Sequence, residues 1–288
     1  MASLKETKGR IASVKSTLKI TSAMKMVASA KLHRAQSAIE NMLPYEQQLQ
    51  SMLQLLPSSL SISQDSPSGN RATLGNVALV AVSSNSSLCG GFNGNVIRET
   101  KARVAQIEQE GGKVEVYSVG RKIAESMKKA GYPSPEDLSE LVAHSSYASA
   151  SELAARLILA FSEGRYSRVE FIYNHFVSTA TQKVVNEQFL PMTADTPAAG
   201  SADVPEDIIL EPSAEELLET LLPRVQALKV YTVILDSLAA EHAARTVAMQ
   251  TATDNGNNIL QELTLEYNKG RQQKITSEIL DIVGGSMQ

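Results

Sequence analysis

The 288-residue sequence contains a single cysteine, Cys89. One cysteine excludes an internal disulfide and any multi-cysteine metal site, and it is compatible with a reducing compartment. The sequence also has no apolar tract of about eighteen residues or more, so it predicts no membrane-spanning helix. Its first eight residues lack the apolar core of a signal peptide. Together these absences predict a cytoplasmic protein.

Motifs of the common catalytic and cofactor sites are missing as well. The glycine-rich segment 88–94 follows the first predicted strand but lacks the glycine spacing of a dinucleotide fingerprint, and no Gly-Lys-Ser/Thr triplet is present. No nucleophile elbow or triad can be assembled. Four histidines show no metal-ligand spacing: His33, His144, His175 and His242. We therefore predict no catalytic centre, no metal and no cofactor.

A weaker alternative is an anion site where the second predicted strand ends. Gly120, Arg121 and Lys122 stand there, at the start of a predicted helix. The N-terminus of a helix attracts anions, so these residues could bind one. We favour a solvated helix start, and we interpret segment 88–94 as a structural turn.

What the sequence does contain is a long seven-residue repeat in its last part. Alternate steps of four and three from Leu221 to Gly270 meet no Asp, Glu, Lys or Arg. A repeat held this long is typical of a helix that keeps one face against another helix. We call these fifteen residues the C-terminal seam: Leu221, Val225, Leu228, Thr232, Leu235, Ala239, His242, Thr246, Met249, Thr253, Gly256, Leu260, Leu263, Tyr267 and Gly270.

A matching repeat occupies the other end of the chain, where only Lys25 is charged. The two repeats predict one antiparallel coiled coil formed by the N- and C-terminal helices. We call these twelve residues the N-terminal seam: Leu4, Thr7, Ile11, Val14, Leu18, Thr21, Lys25, Ala28, Leu32, Ala35, Ile39 and Met42.

Residues 254–258, Asp-Asn-Gly-Asn-Asn, form helices poorly. We nevertheless predict an unbroken helix, because the C-terminal seam resumes in phase at Leu260. The C-terminal helix is predicted to be the longer one, so about 17 of its residues should extend past Leu4. The apolar positions shift there to Ile275, Ile279 and Ile282, as expected where no partner helix is left.

The middle of the chain follows a different pattern. Strands and helices that alternate predict a parallel, Rossmann-like sheet covered on both faces. Residues 176–190 alternate as a β-ribbon. The predicted strands are 77–82, 114–119, 169–173 and a last one at 207–210, and the predicted helices are 93–109, 121–130 and 148–162.

These patterns give an α/β fold class with a long coiled coil attached to a central sheet domain. The predicted boundaries are 1–56 for the N-terminal helix, 57–212 for the central domain and 213–288 for the C-terminal helix.

Charge is distributed unevenly along the chain. Residues 1–38 carry eight Lys or Arg and one acidic residue, Glu6, which gives this segment a net charge of +7. The whole chain has a net charge of −4, so residues 39–288 carry −11. A basic helix indicates an acidic partner.

Residues 9–32, GRIASVKSTLKITSAMKMVASAKL, resemble the N-terminal signature of the gamma subunit of F-type ATP synthases. Three later segments resemble the C-terminal signature of that family: EHAAR at 241–245, ATDN at 252–255 and LTLEYNKGRQ at 263–272, the last continuing through Thr276 to Ile279. The resemblance covers both helices and, more loosely, the middle.

The resemblance implies a non-catalytic rotor shaft that couples rotation of the proton-driven c-ring to nucleotide sites on other chains. It implies three alpha and three beta subunits as partners, with epsilon, delta and the c-ring, and a peripheral position on the cytoplasmic face of a bacterial inner membrane. It places Met24 and Lys25 near acidic beta-subunit loops. It also implies contacts with the surrounding ring for four residues: Arg245, Arg271, Gln272 and Thr276.

The sequence departs from the family at one strand-end loop, where Asn85, Ser86 and Ser87 replace a charged pair and a glycine. The regulatory cysteine pair of the plant-plastid form is also absent. Two other functions stay open from the residues alone. One is an α/β small-molecule enzyme with a coiled-coil dimerisation arm, which would need a phosphate loop. The other is a nucleic-acid-binding coiled coil, although the basic helix has no aromatic residue before Tyr45.

Overall fold

The computed structural model describes residues 4–54, 75–191 and 211–286. The predicted strand at 207–210 lies outside these residues. Six helices and four strands are seen in them, in the chain order α1 (Leu4–Gln54), β1 (Asn76–Val82), α2 (Phe92–Gln109), β2 (Lys113–Val119), α3 (Arg121–Lys129), α4 (Ser139–Ala143), α5 (Tyr147–Ser162), β3 (Arg168–Phe176), β4 (Gln182–Leu190) and α6 (Ala214–Ser286).

The four strands form one sheet in the order β2-β1-β3-β4. β1 is the centre and pairs in parallel with both β2 and β3. β4 pairs antiparallel with β3. The prediction of a parallel sheet is therefore right for three strands, and the predicted ribbon adds an antiparallel edge. The reason is the short connection after Phe176, because a parallel return would need a crossover of a dozen or more residues.

Both faces of the sheet are covered, as predicted. Successive residues of β1 point to opposite faces, so Ala78 and Val80 lie in one apolar cluster and Leu79 and Ala81 in another. The first cluster includes residues of α5 and α6, and the second includes residues of α2 and α3. The sheet is therefore held between two layers of helix.

A buried carboxylate, Glu170 on β3, connects the sheet to α2. Arg103 donates two hydrogen bonds to it at 2.7 and 2.6 Å. Arg168 lies 2.7 Å from the same carboxylate, and Asn186 donates to it at 3.1 Å. Burial opposes ionisation of Glu170, but the Arg103 hydrogen bonds, the charge of Arg168 and the Asn186 hydrogen bond outweigh it and lower the pKa.

The long helix α6 begins and continues as the sequence predicts. Ser213 caps it by accepting a hydrogen bond from the Glu216 N–H at 3.2 Å. The helix is unbroken through residues 254–258. Pro223 lies within α6, and Pro44 lies within α1.

The chain divides into two compact units. The helix-pair unit comprises Met1–Ser29 and Arg245–Gln288, and the sheet unit comprises Ala30–Ala244. Both α1 and α6 contribute to each unit. The three-part division predicted at 56/57 and 212/213 stays a prediction.

Candidate functional site

The loop after β1, where a dinucleotide fold would hold its phosphates, is filled by the side chain of Asn93. Its Oδ1 accepts a hydrogen bond from the Ser84 N–H at 3.0 Å. Its Nδ2 donates to Ser84 Oγ at 2.8 Å and to Cys89 Sγ at 3.1 Å. Cys89 itself is 1% exposed. These groups satisfy one another, which confirms the interpretation of segment 88–94 as a structural turn.

The N-terminus of α3, the weaker candidate for an anion site, is occupied in the same way. The first three N–H groups of α3 donate to Asn85 Oδ1 at 3.0 Å, to the Ser84 carbonyl at 3.2 Å and to Ser83 Oγ at 2.9 Å. Backbone donors that bind an anion must be available to it. The first three N–H groups of α3 are instead hydrogen-bonded to the loop at the end of β1.

Asn85 also makes a hydrogen bond that the sequence did not predict. Besides accepting from α3, its Nδ2 donates to the Ser139 carbonyl at the start of α4, at 2.9 Å. A carboxylate could not make this second bond, because it has no donor. Asn85 is therefore a neutral amide that joins the loop after β1 to α3 and α4.

Within the helix-pair unit, the two seams meet in one register. A Cβ built on Gly256 would lie 2.7 Å from Leu18, and one built on Gly270 would lie 3.2 Å from Leu4. The hydroxyls of Thr21 and Thr253 lie 2.9 Å apart. The two residue numbers add up to 274 in each of these pairs. The helices are antiparallel, as predicted, and Gly256 is the space into which Leu18 fits.

The same sum is compatible with the whole N-terminal seam, because each of its residues has a C-terminal seam residue at 274 minus its own number. No residue of either seam is exposed. In the sheet unit, Ala35 and Ala239 obey the rule and share one apolar cluster. The seams predicted from the repeats are therefore confirmed.

Lys25, the one charged seam residue, is satisfied between the two helices. It is half-buried, and its Nζ donates a hydrogen bond to Gln250 Oε1. Gln250 Nε2 in turn donates to both carboxylate oxygens of Asp254, at 2.8 and 2.9 Å. Sequence analysis missed Gln250 and Asp254, although the register would have found them, since it places Lys25 opposite Met249, next to Gln250. Met24 is also half-buried.

The six residues singled out by resemblance fall into two groups. Met24 and Lys25 lie in the α1 segment of the helix-pair unit. Arg245 is the first residue of its α6 segment and is 9% exposed. Arg271, Gln272 and Thr276 lie beyond Gly270 and are exposed. The rise of an α-helix puts about 45 Å between Arg245 and Thr276. They do not form one compact site.

The end of α6 extends past the end of α1, as predicted. The first described residue of α1, Leu4, lies opposite Gly270. Every residue from 271 to 283 is exposed. Five large apolar side chains are among them: Ile275, Ile279, Leu280, Ile282 and Val283. We call this segment the α6 tip.

Two kinds of site are absent from the described part of the chain. Across residues 4–54, 75–191 and 211–286, no three His, Cys, Asp or Glu side chains cluster as metal ligands. None of the helices in these ranges combines the length and apolar character that a membrane crossing requires.

Comparison with known proteins gives full-length matches. The model of a family described as ATP synthase matches residues 3–287. The ATP synthase gamma chain of Phocaeicola vulgatus is 51% identical over 290 residues, and that of Bacteroides thetaiotaomicron is 49% identical over 300 residues. Both alignments cover 100% of this chain and 100% of the relative.

A solved structure, the rotor of the Euglena gracilis mitochondrial ATP synthase in rotational state 1, contains a similar chain. The TM-score is 0.62 at 21% identity, with 94% of this chain and 98% of that chain covered. At this identity the likeness concerns the fold. The assignment to a family depends on the full-length matches to the gamma chains. By these matches, this chain belongs to the ATP synthase gamma chain family.

Proposed function

We propose that this chain is the central rotor shaft of an F-type ATP synthase and carries no catalytic site of its own. Its full-length relatives are named ATP synthase gamma chains, and the Euglena chain of the same fold belongs to a rotor. In this role the chain passes rotation of the proton-driven c-ring to nucleotide sites on the alpha and beta subunits.

The observation that carries the proposal is the construction of the helix-pair unit. Its seam residues are shielded between the two helices, and α6 ends in a tip beyond α1. Seven of the eight basic residues of segment 1–38 are exposed: Lys5, Lys8, Arg10, Lys15, Lys19, Lys31 and Arg34. Such a pair of helices holds itself together and presents charge and an apolar end to whatever surrounds it.

An asymmetric shaft can act on three equivalent sites without touching a nucleotide. A ligand or partner shifts a conformational equilibrium only by its differential affinity for the states. As different sides of the helix pair face each beta subunit in turn, each subunit meets a different set of contacts. The exposed basic residues of α1 favour acidic loops of the beta subunits as partners.

We assign the contacts with the ring to the six residues suggested by resemblance. Arg271, Gln272 and Thr276 are exposed on the α6 tip and available to the ring. Lys25 already donates to Gln250, so a beta-subunit carboxylate has to compete with that amide for its ammonium. Met24 and Arg245 lie in the same unit.

The sheet domain, 57–212 in the predicted division, is the part we assign to the foot of the shaft. There it contacts epsilon and the c-ring, and delta belongs to the same complex. The chain is then peripheral to the membrane, held on the cytoplasmic face of a bacterial inner membrane by the complex. The coiled-coil parts, 1–56 and 213–288 in the same division, are the parts we assign to the ring of alpha and beta subunits.

A disulfide tether between rotor and ring tests the proposal. Met26, next to Lys25, is 65% exposed and is replaced by cysteine in a Cys89→Ser background, with a second cysteine on the facing beta-subunit loop. ATP hydrolysis by the assembled complex should collapse on oxidation and return on reduction, because a tethered shaft cannot turn. Full activity with a complete crosslink would disprove rotation of this region.

The chain offers a matched control. Cysteines in place of Thr21 and Thr253, whose hydroxyls lie 2.9 Å apart, join α1 to α6 within the same chain. That crosslink should leave ATP hydrolysis unchanged, because both helices turn together. Oxidation that inhibits the control to the same extent would trace the inhibition to the oxidant or to rigidity of the helix pair.

A further inference from the structure

A half-buried cation of the helix-pair unit has a neutral partner. Lys25 is the one charged residue of the N-terminal seam, and its Nζ donates a hydrogen bond to Gln250 Oε1 on α6. Among the described residues, Gln250 is the one hydrogen-bond partner of this ammonium. A carboxylate would be a stronger partner, because hydrogen bonds between charged groups are about twice as strong as neutral ones. Within the described chain, the positive charge of Lys25 is therefore not neutralised by direct contact.

The amide of Gln250 is oriented from its other side by Asp254, which lies one turn further along α6. Gln250 Nε2 donates to both carboxylate oxygens of Asp254, at 2.8 and 2.9 Å. An ionised carboxylate only accepts hydrogen bonds and an ammonium only donates them. The amide can therefore join these two groups only with its NH₂ toward Asp254 and its oxygen toward Lys25. Asp254 thereby fixes the acceptor that Lys25 uses.

These three groups weaken the attraction of Lys25 for a carboxylate of another chain. Lys25 and Gln250 are half-buried, whereas Asp254 is exposed. To reach a partner outside the helix pair, the Lys25 side chain has to turn away from the seam and give up its bond to Gln250. An approaching carboxylate also meets the charge of Asp254, which has the same sign and repels it. Both effects oppose the external contact.

We infer that Gln250 and Asp254 are positioning residues for Lys25, because they hold its ammonium against the helix pair and limit the strength of its contact with the ring. This inference rests on the proposed function as a shaft. A turning shaft has to leave each beta subunit as well as meet it. A contact of limited strength breaks more easily as the shaft turns, so the restraint on Lys25 favours rotation.

The test measures binding of the full-length chain to rings of three alpha and three beta subunits, by fluorescence titration at physiological ionic strength. Gln250→Met keeps a side chain of similar length but removes the acceptor. The dissociation constant should fall by about threefold or more, which corresponds to the net value of one hydrogen bond. Gln250→Glu puts a charged acceptor beside Lys25 and should raise the dissociation constant. Disturbed packing would instead raise it for both variants.

A double-mutant cycle shows whether the tighter binding comes from Lys25. In a Lys25→Met background no ammonium is left to release, so Gln250→Met should change the dissociation constant by less than about twofold. Salt gives an independent measurement. The difference between wild type and Gln250→Met should shrink as salt is raised to about 1 M, because the contact of a released ammonium with a carboxylate is screened. A gain from apolar packing of the methionine would persist.

The part assigned to Asp254 has a matched control on the same helix. Asp254→Asn and Glu262→Gln each remove one negative charge from an exposed position of α6. Glu262 lies about 12 Å further along the helix axis, which exceeds the Debye length of about 8 Å at physiological ionic strength. Asp254→Asn should therefore lower the dissociation constant by more than Glu262→Gln does. Equal changes would show that Asp254 acts only through the net charge of the chain.

The outcomes also distinguish the two proposals. Unchanged or weaker binding of Gln250→Met would overturn the restraint on Lys25 and leave the shaft intact. The same applies if Gln250→Met tightens binding equally in the Lys25→Met background. A wild-type chain that does not bind the rings, or hydrolysis that survives the rotor-to-ring tether, would overturn the shaft itself, and the restraint with it.

Discussion

The two units of this chain use the same helices in opposite ways. In the sheet unit, six of the seven residues of β1 are buried, and α6 covers one face of the sheet. In the helix-pair unit, Leu263 is the one buried residue of α6 between 250 and 283. The sheet unit has most of its apolar surface inside. The helix-pair unit keeps a narrow seam and leaves the rest of its surface for partners.

The comparison predicts that a charged side chain at a buried position of the sheet unit destabilises the chain far more than one at an exposed position of the helix-pair unit. Leu235 is a buried seam residue, 4% exposed, whereas Leu265 is 66% exposed. Leu235→Asp should destabilise the chain by about 4 kcal/mol or more, since it loses apolar burial and buries an unpaired carboxylate. Leu265→Asp should change stability by less than about 0.5 kcal/mol. Circular dichroism melts of both variants measure the difference, and equal melting temperatures would refute the seam assignment.

The next largest effect concerns the buried ion cluster of the sheet unit. Glu170→Gln removes the charge that Arg103 and Arg168 share, and breaking a buried pair costs about 3 kcal/mol or more. Glu125, in a 3.5 Å surface pair with Lys122, provides the control, because Glu125→Gln should cost almost nothing. Denaturant titrations at neutral pH give both free energies of unfolding. A loss as small as that of the control would show that the cluster contributes no stability.

The same carboxylate predicts how stability depends on pH. The folded pKa of Glu170 lies below its ordinary value of 4.5. Its contribution is therefore fully present above pH 4.5 and is lost as the pH falls through the lower folded pKa. Wild type should lose this part of its stability on acidification, and Glu170→Gln should not. Parallel curves for the two proteins over the acid range would contradict the sign.

A smaller effect tests the seam of the helix-pair unit. Gly→Ala inside a helix normally adds about 1 kcal/mol of stability. A Cβ at Gly256 would press on Leu18, so Gly256→Ala should add less in wild type than in a Leu18→Ala background. Gly9 has no atom within 4 Å of its added Cβ, so Gly9→Ala should give the full gain in both backgrounds. Equal gains for Gly256→Ala in the two backgrounds would show that Leu18 does not occupy the space at Gly256.

Periodic features were predictable from the sequence because they repeat. The two seams span many turns, and the phase that resumes at Leu260 identified an unbroken helix where residues 254–258 argued against one. The strands of the sheet were predicted from short apolar runs for the same reason. A property shared by many residues tolerates a few exceptions.

Single contacts between distant residues could not be predicted in this way. The short helix α4 has five residues, too few to show a period. Asn85 joins Arg121 to Ser139, and Asp236 binds the end of β3, 60 residues away along the chain. Such bonds depend on where the folded chain brings one side chain, and neither residue type nor spacing encodes that position. The six residues that we propose as contacts with the ring came from resemblance for the same reason.

The smallest expected effect is no effect at all, on adding ATP to the isolated chain. In the sheet unit, Asn93 fills the loop after β1, and the first N–H groups of α3 are bound to Asn85, Ser84 and Ser83. A phosphate would have to displace these bonds, and Arg121 and Lys122 alone give it no cradle. Calorimetry should therefore detect no binding with a dissociation constant below about 10 µM. Tighter binding would show that the loops open, and it would favour the hypothesis of a small-molecule enzyme.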